Sequence, residues 1–132
     1  TVCGCEPIKG CVRTQGYWGN KPGVIWPAPY SRTALFFASG LTLQQILDAP
    51  VRGSGYLILA KQYIAAVLNY AAGASAPPGV ISAINQASAF FSSGTTPASC
   101  GPGECQDQIA LAAILDSYNN GVYPGAPGPC PD

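Results

Sequence analysis

Few side chains of this 132-residue sequence could carry acid–base chemistry, because it contains no histidine. Histidine is the commonest general base and metal ligand, so a Ser-His-Asp or Cys-His site is impossible. A glycosidase would need two carboxyl groups facing each other across a cleft. Glu104 and Asp107 lie one turn apart on the same helix face, which favours a role as helix-dipole charges in a first turn. We therefore predict no catalytic residue and no enzymatic activity.

Metals, cofactors and nucleic acids are disfavoured on similar grounds. No acidic loop has calcium-binding spacing, and no glycine cluster is followed by the Lys-Ser/Thr of a phosphate-binding loop. The six basic and six acidic side chains are scattered singly, so there is no basic stripe for a nucleic acid. We expect no metal, no cofactor and no nucleic-acid partner.

The cysteine spacing indicates disulfides formed in an oxidising compartment. The predicted disulfide residues are Cys3, Cys5, Cys11, Cys100, Cys105 and Cys130. Cys100 and Cys105 could close a small loop, which leaves Cys130 for an N-terminal cysteine; alternatively, the N-terminal segment is joined to the Cys100–Cys105 loop. Because the sequence begins at Thr1 with no apolar leader, the simplest account is a mature, secreted chain whose signal peptide has been removed.

Aromatic side chains of the N-terminal part are the main candidates for binding. Tyr17, Trp18, Trp26 and Tyr30 could stack on sugar rings or anchor a protein partner. The alternative, which we favour, is a satellite core that fastens an irregular segment onto the rest of the domain.

The elements that must position these residues are helical. An all-α fold is predicted, with a single secreted domain over residues 1–132 that comprises an irregular arm, a helical body and a Pro/Gly-rich, extended tail. The arm covers 1–40, with one short strand near 12–17; the body covers 41–121, with helices at 43–49, 55–72, 78–93 and 104–120; the tail covers 122–132. Thr42 and Gln45 have capping-box spacing at the first of these helices.

The helix at 55–72 is apolar almost all round, which is typical of a buried central helix. We expect Ile58, Ala65 and Leu68 to be inaccessible to solvent. The helix is too short, and too interrupted by Lys61 and its neighbour Gln62, to be a membrane span.

Four stretches together resemble a little-characterised family of secreted and cell-surface domains from bacteria and algae. They are Thr14-Gln15-Gly16-Tyr17-Trp18, Trp26-Pro27-Ala28-Pro29-Tyr30, the helix at 59–69 and the ending at 114–121. The resemblance implies a location and a module type but no activity. Relatives often carry a histidine soon after the Tyr-Trp pair. Here Gly19, Asn20 and Lys21 follow it, so a function that depends on that histidine is not implied.

Charged residues make up only 9% of the chain, which leaves little repulsion against close packing of neutral surfaces. The leading hypothesis is a non-enzymatic extracellular structural or interaction module, a self-assembling surface, matrix or filament component. Its partners would be further copies or other matrix components, with carbohydrate as a further candidate. We expect contacts between molecules through residues 1–30 of the arm and through the tail 122–132. Trp18 and Trp26 would lie at or beneath these contacts. The first alternative is a soluble binding protein for carbohydrate or a small apolar ligand, and a remote third is an enzyme of unrecognised mechanism.

Overall fold

Five α-helices and one 3₁₀ turn form the regular structure of the described part of the chain, residues 8–21 and 23–131 of a computed structural model. The helices are α1 (Gln15–Asn20), α2 (Leu43–Asp48), α3 (Gly55–Ala71), α4 (Pro78–Ser92) and α5 (Gln106–Asn119), with the 3₁₀ turn at Pro97–Ser99. No strand is present among these residues, so the prediction of an all-α fold is confirmed. Cys3 and Cys5 lie outside the described residues.

The helix starts follow from local capping chemistry. The Thr42 hydroxyl accepts the Gln45 backbone N–H at 3.1 Å, and the Gln45 amide oxygen accepts the Thr42 N–H at 2.8 Å. This reciprocal pair is the predicted capping box and begins α2. Ser54 caps α3 through the Leu57 N–H, and Gly73 follows its end with a φ of 109°, a left-handed conformation that favours glycine.

Helix α3 packs against α1, α2, α4 and α5. Ala65 and Leu68 are fully buried, as expected, whereas Ile58 is only half-buried and that prediction was wrong. Ile58 precedes Lys61 by three residues and Gln62 by four, which places it on the same helix face as these partly exposed polar side chains.

The arm departs from the sequence-based expectation. The strand predicted near 12–17 is wrong: Val12 makes only an isolated bridge to Pro129, and the helix α1 begins at Gln15. Thr14 caps this helix by accepting the Tyr17 N–H at 3.3 Å. The cap, together with the burial of Trp18 in the core, outweighs the β-propensity of the preceding residues.

Two disulfides are formed within the described residues, and they select the first of the two predicted arrangements. Cys100 pairs with Cys105 across the Gly-Pro-Gly loop, and Cys130 pairs with Cys11 at a Cα–Cα distance of 4.7 Å. A link from the N-terminal segment to the Cys100–Cys105 loop is therefore excluded for Cys11. Glu104 lies before α5 and not in its first turn, because its carboxylate accepts the Gly101 N–H and so closes the loop itself.

The arm and the tail are hydrogen bonded to each other. The Val12 N–H donates to the Gly128 carbonyl at 3.1 Å, and the Cys130 N–H donates to the Val12 carbonyl at 2.9 Å. The prediction of an extended tail is wrong at residues 123–126, where the Ala126 N–H donates to the Tyr123 carbonyl and closes a turn. These main-chain groups are satisfied inside the domain, which removes the reason for expecting a neighbouring copy to pair with them.

Candidate functional site

The two predicted tryptophans lie in the core. Trp18 and Trp26 are 5% and 7% exposed. The Trp18 indole N–H donates to the Asn69 side-chain oxygen at 3.2 Å, and the Trp26 N–H donates to the Trp18 carbonyl at 3.1 Å. Neither indole face is open to a ligand.

Arg32 fastens the segment around these tryptophans. Its guanidinium lies 4.7 Å from the Trp26 ring centre. It donates to the carbonyls of Trp18 at 3.0 Å, Lys21 at 3.1 Å and Val24 at 2.8 Å. The guanidinium is therefore stabilised by carbonyl dipoles and by an aromatic ring. Its planar shape lets its N–H groups donate to several acceptors at once.

The two predicted tyrosines lie in different surroundings. Tyr17 is half-buried, and the charged groups of Arg13 and Lys21 lie 4.1 and 5.2 Å from its ring centre. Tyr30 instead lines a surface hollow together with Tyr63 of α3. The structure therefore does not bring the four predicted aromatic residues together as one binding surface.

Tyr30, Tyr63 and Val67 stand at the centre of a surface groove. They line two adjoining hollows with volumes of about 330 and 340 Å³. The remaining lining of the first hollow is almost wholly apolar. It consists of Pro29, Ser31, Ala34, Leu35, Phe36, Phe37, Leu43 and Ile64.

The groove continues along α3 and α4. Tyr70, Ile81 and Asn85 line both the second hollow and a third, open hollow of about 850 Å³. Polar side chains border this end, among them Lys9, Ser75, Ser82 and Gln86. We call the continuous surface the tyrosine groove, after Tyr30, Tyr63 and Tyr70.

The wall opposite α3 is a loop with a defined conformation. Phe36 is 2% exposed, and its N–H donates to the Leu41 carbonyl at 2.8 Å. The Leu43 N–H donates to the Ala34 carbonyl at 2.9 Å. This pairing holds Leu35 and Phe37 on the outer side of the loop, so the apolar end of the groove is preformed.

Three of the six large apolar side chains that are exposed in residues 8–21 and 23–131 line this surface, whereas Ile8, Ile25 and Val122 do not. Leu35 is 69% exposed, Tyr70 54% and Phe37 41%, and all three line the tyrosine groove. Leu35 and Phe37 line the first hollow together, and an exposed apolar patch marks a binding site more often than scattered single residues do.

The groove is almost uncharged. Among its described lining residues Lys9, at the open end, is the one charged side chain. Burial raises the pKa of Tyr63, the nearby Ser88 hydroxyl opposes that shift, and the neighbouring Tyr30 adds to it. The Tyr63 phenol is therefore neutral at physiological pH and offers a hydroxyl rather than a charge.

Within residues 8–21 and 23–131, no group of three or more His, Cys, Asp or Glu side chains could hold a metal ion. None of the helices in that part is long and apolar enough to cross a membrane.

Sequence reasoning identified Tyr30 but missed Tyr63 and Tyr70. These two residues are seven positions apart on α3, which places them on one face two turns apart. That spacing is present in the sequence, but a helix that is apolar almost all round is predicted to be buried, which gives no reason to place the two tyrosines at the surface.

The chain matches no family model, and neither the curated proteins nor the solved structures contain a match.

Proposed function

We propose that the chain is a non-enzymatic extracellular interaction module, a component of a surface or matrix, and that its partner lies in the tyrosine groove. One observation carries the proposal: the exposed apolar residues Leu35, Phe37 and Tyr70 line a single preformed groove. Hydration of these apolar side chains is unfavourable. A bound partner would remove them from water.

The chemistry of the lining supports binding rather than catalysis. Proton transfer near neutral pH needs a group whose pKa lies near the working pH. The groove offers phenols, amides and hydroxyls, and burial moves the pKa of Tyr63 further above neutrality. Such groups can orient a ligand by hydrogen bonds without exchanging protons with it.

The disulfides support an extracellular location, since bridges of this kind persist in oxidising compartments. The resemblance of four stretches of the sequence to secreted and cell-surface domains also favours an extracellular location.

The test is to map binding onto the surface by NMR. Backbone amide signals of the ¹⁵N-labelled protein would be followed during titration with neutral oligosaccharides, small aromatic molecules and proline-rich peptides. We expect at least one class to perturb signals on both sides of the groove. Leu35→Ala should weaken that binding, whereas Ile25→Ala, a change at a 91% exposed residue outside the groove, should not. Perturbations confined to residues 10–28 of the arm and to the tail, none of which lines the groove, would refute the proposal.

Self-assembly into a surface layer or filament is the second candidate. It is favoured by the exposed residues Ile25 and Val122, at 91% and 71%, which lie outside the groove, and by the low charge of the chain. Sedimentation velocity over a wide concentration range tests it. If copies associate, Ile25→Glu or Val122→Glu should abolish the association while Leu35→Glu leaves it intact. A monomer at every concentration would rule this candidate out.

A further inference from the structure

We infer that the partner held in the tyrosine groove is a neutral polysaccharide chain; this inference rests on the proposed function. The groove combines aromatic faces, neutral hydrogen-bonding side chains and an open form, and each of these features matches an uncharged sugar polymer.

Two tyrosines of α3 line the groove at different points along it. Tyr70 is 54% exposed, and Tyr63 is half-buried, with its ring packed against Phe36, Phe37 and Phe91. Tyr63 and Tyr70 are separated by seven residues of α3, a rise of about 10.5 Å. That distance is on the scale of a disaccharide. Tyr30 lines the same two hollows as Tyr63. The apolar face of a sugar ring packs on a tyrosine ring, and the amphipathic phenol tolerates the adjacent hydroxyl groups.

Neutral polar side chains lie beside these rings. Asn85, Gln86 and Ser82 project from α4 into the open end, and Ser88 lies in the middle hollow near the Tyr63 hydroxyl. Amides and hydroxyls both donate and accept hydrogen bonds, as sugar hydroxyls do. Gln86 already donates to Ser82 at 3.0 Å, so these side chains can form a local network.

The charge of the groove excludes acidic ligands as the favoured class. Sulfated, phosphorylated or carboxylated polymers are usually held by arginine and lysine clusters. Here Lys9 alone among the described lining residues is charged, and it stands at one end. A neutral polymer loses no ion hydration on entering such a groove.

The walls also argue against an extended peptide as the occupant. Helices α3 and α4 form most of the second and third hollows, and their backbone N–H and C=O groups are bonded within the helices, whereas the loop 29–37 walls the first hollow. An added strand would find no free main-chain edge on the two helices. Sugar hydroxyls need only side-chain partners, which the groove supplies.

The experiment is isothermal titration calorimetry with hexamers of β-linked glucose and of N-acetylglucosamine, with co-sedimentation on the insoluble polymers cellulose and chitin. We expect one of these to bind the parent protein. Tyr70→Ala should lower the affinity at least about tenfold, and Tyr70→Phe, which keeps the ring, should restore most of it. Val122→Ala, an exposed change outside the groove, should have no effect. The affinity should not change between low and high salt, since no ion pair is involved.

Three results would overturn the inference: no binding of either neutral saccharide, binding that Tyr70→Ala leaves unchanged, or binding that falls steeply with salt. If a proline-rich peptide or a second copy occupies the groove instead, the inference fails while the proposed function stands. If nothing perturbs the groove, both fail.

Discussion

A buried amide network at Asn69 should control how firmly the arm is held, and Asn69→Ala is the change that tests it. The Asn69 oxygen accepts the Trp18 indole N–H at 3.2 Å and the Arg13 backbone N–H at 2.9 Å. Its amide nitrogen donates to the Arg13 carbonyl at 2.9 Å and to the Asn119 oxygen at 3.0 Å. One side chain therefore joins the arm, α3 and α5.

The cost of Asn69→Ala follows from the groups left without partners. The Trp18 N–H and the Asn119 oxygen are both in a buried environment, and an unsatisfied buried polar group costs about 1–3 kcal/mol. Arg13 is only partly buried, so water can replace its lost bonds. We expect a loss of about 4 kcal/mol of unfolding free energy. For a domain of this length, about 0.28 kcal/mol per kelvin of unfolding entropy converts this to a fall of about 14 °C in Tm.

The assay is urea and thermal unfolding of the disulfide-intact protein, followed by tryptophan fluorescence and circular dichroism. The matched control is Asn120→Ala, because Asn120 is exposed and bonds only to Asp116 within its own turn. It should cost less than about 0.5 kcal/mol. If Asn69→Ala costs less than about 1 kcal/mol, the amide network does not hold the arm, and apolar packing of Trp18 must do so instead.

Further predictions concern other buried polar groups and the cysteines. Arg32→Lys should cost about 2 kcal/mol in urea unfolding, because an ammonium cannot reach the same carbonyls; an unchanged midpoint would contradict this. Tyr56→Phe should be neutral or stabilising, since the Tyr56 hydroxyl has no hydrogen-bond partner among the described residues, whereas Tyr118→Phe loses a 3.1 Å bond and should destabilise. Burial raises the pKa of both tyrosines from 10.0 to about 12, because it penalises the phenolate in the folded state. Their ionisation should therefore leave the unfolding free energy unchanged below pH 10 and lower it as the pH rises towards 12; unfolding followed by phenolate absorbance checks this. No thiol should alkylate before reduction, and labelling of Cys3 or Cys5 in an intact-mass experiment would contradict this.

Helix boundaries were predictable where a few adjacent residues determine them. The capping box at Thr42, the Ser54 cap and the left-handed Gly73 are local features, and the helices they bound lie within one residue of the predicted ranges. Such signals need no knowledge of the rest of the fold, because each hydrogen bond spans three or four residues.

The arm was harder to predict because its structure depends on distant contacts. Helix α1 has only six residues, and isolated helices so short are unstable in water. It is fixed by Trp18, whose indole bonds to Asn69 fifty-one residues away. Likewise, the groove arises where residues 29–37 leave one side of α3 uncovered, which periodicity within α3 cannot reveal.

The Cys11–Cys130 bridge has a mechanical consequence. Its two residues are 119 positions apart, yet their Cα atoms are 4.7 Å apart. A pulling force applied to the chain before Cys11 and after Cys130 would pass through the disulfide bond. It would not act on the helices between the two cysteines. The enclosed chain, about 400 Å long if fully extended, would bear no tension. As part of a load-bearing layer, the domain would therefore act as a short inextensible link, and the groove residues between the two cysteines would keep their arrangement while neighbouring domains are stretched.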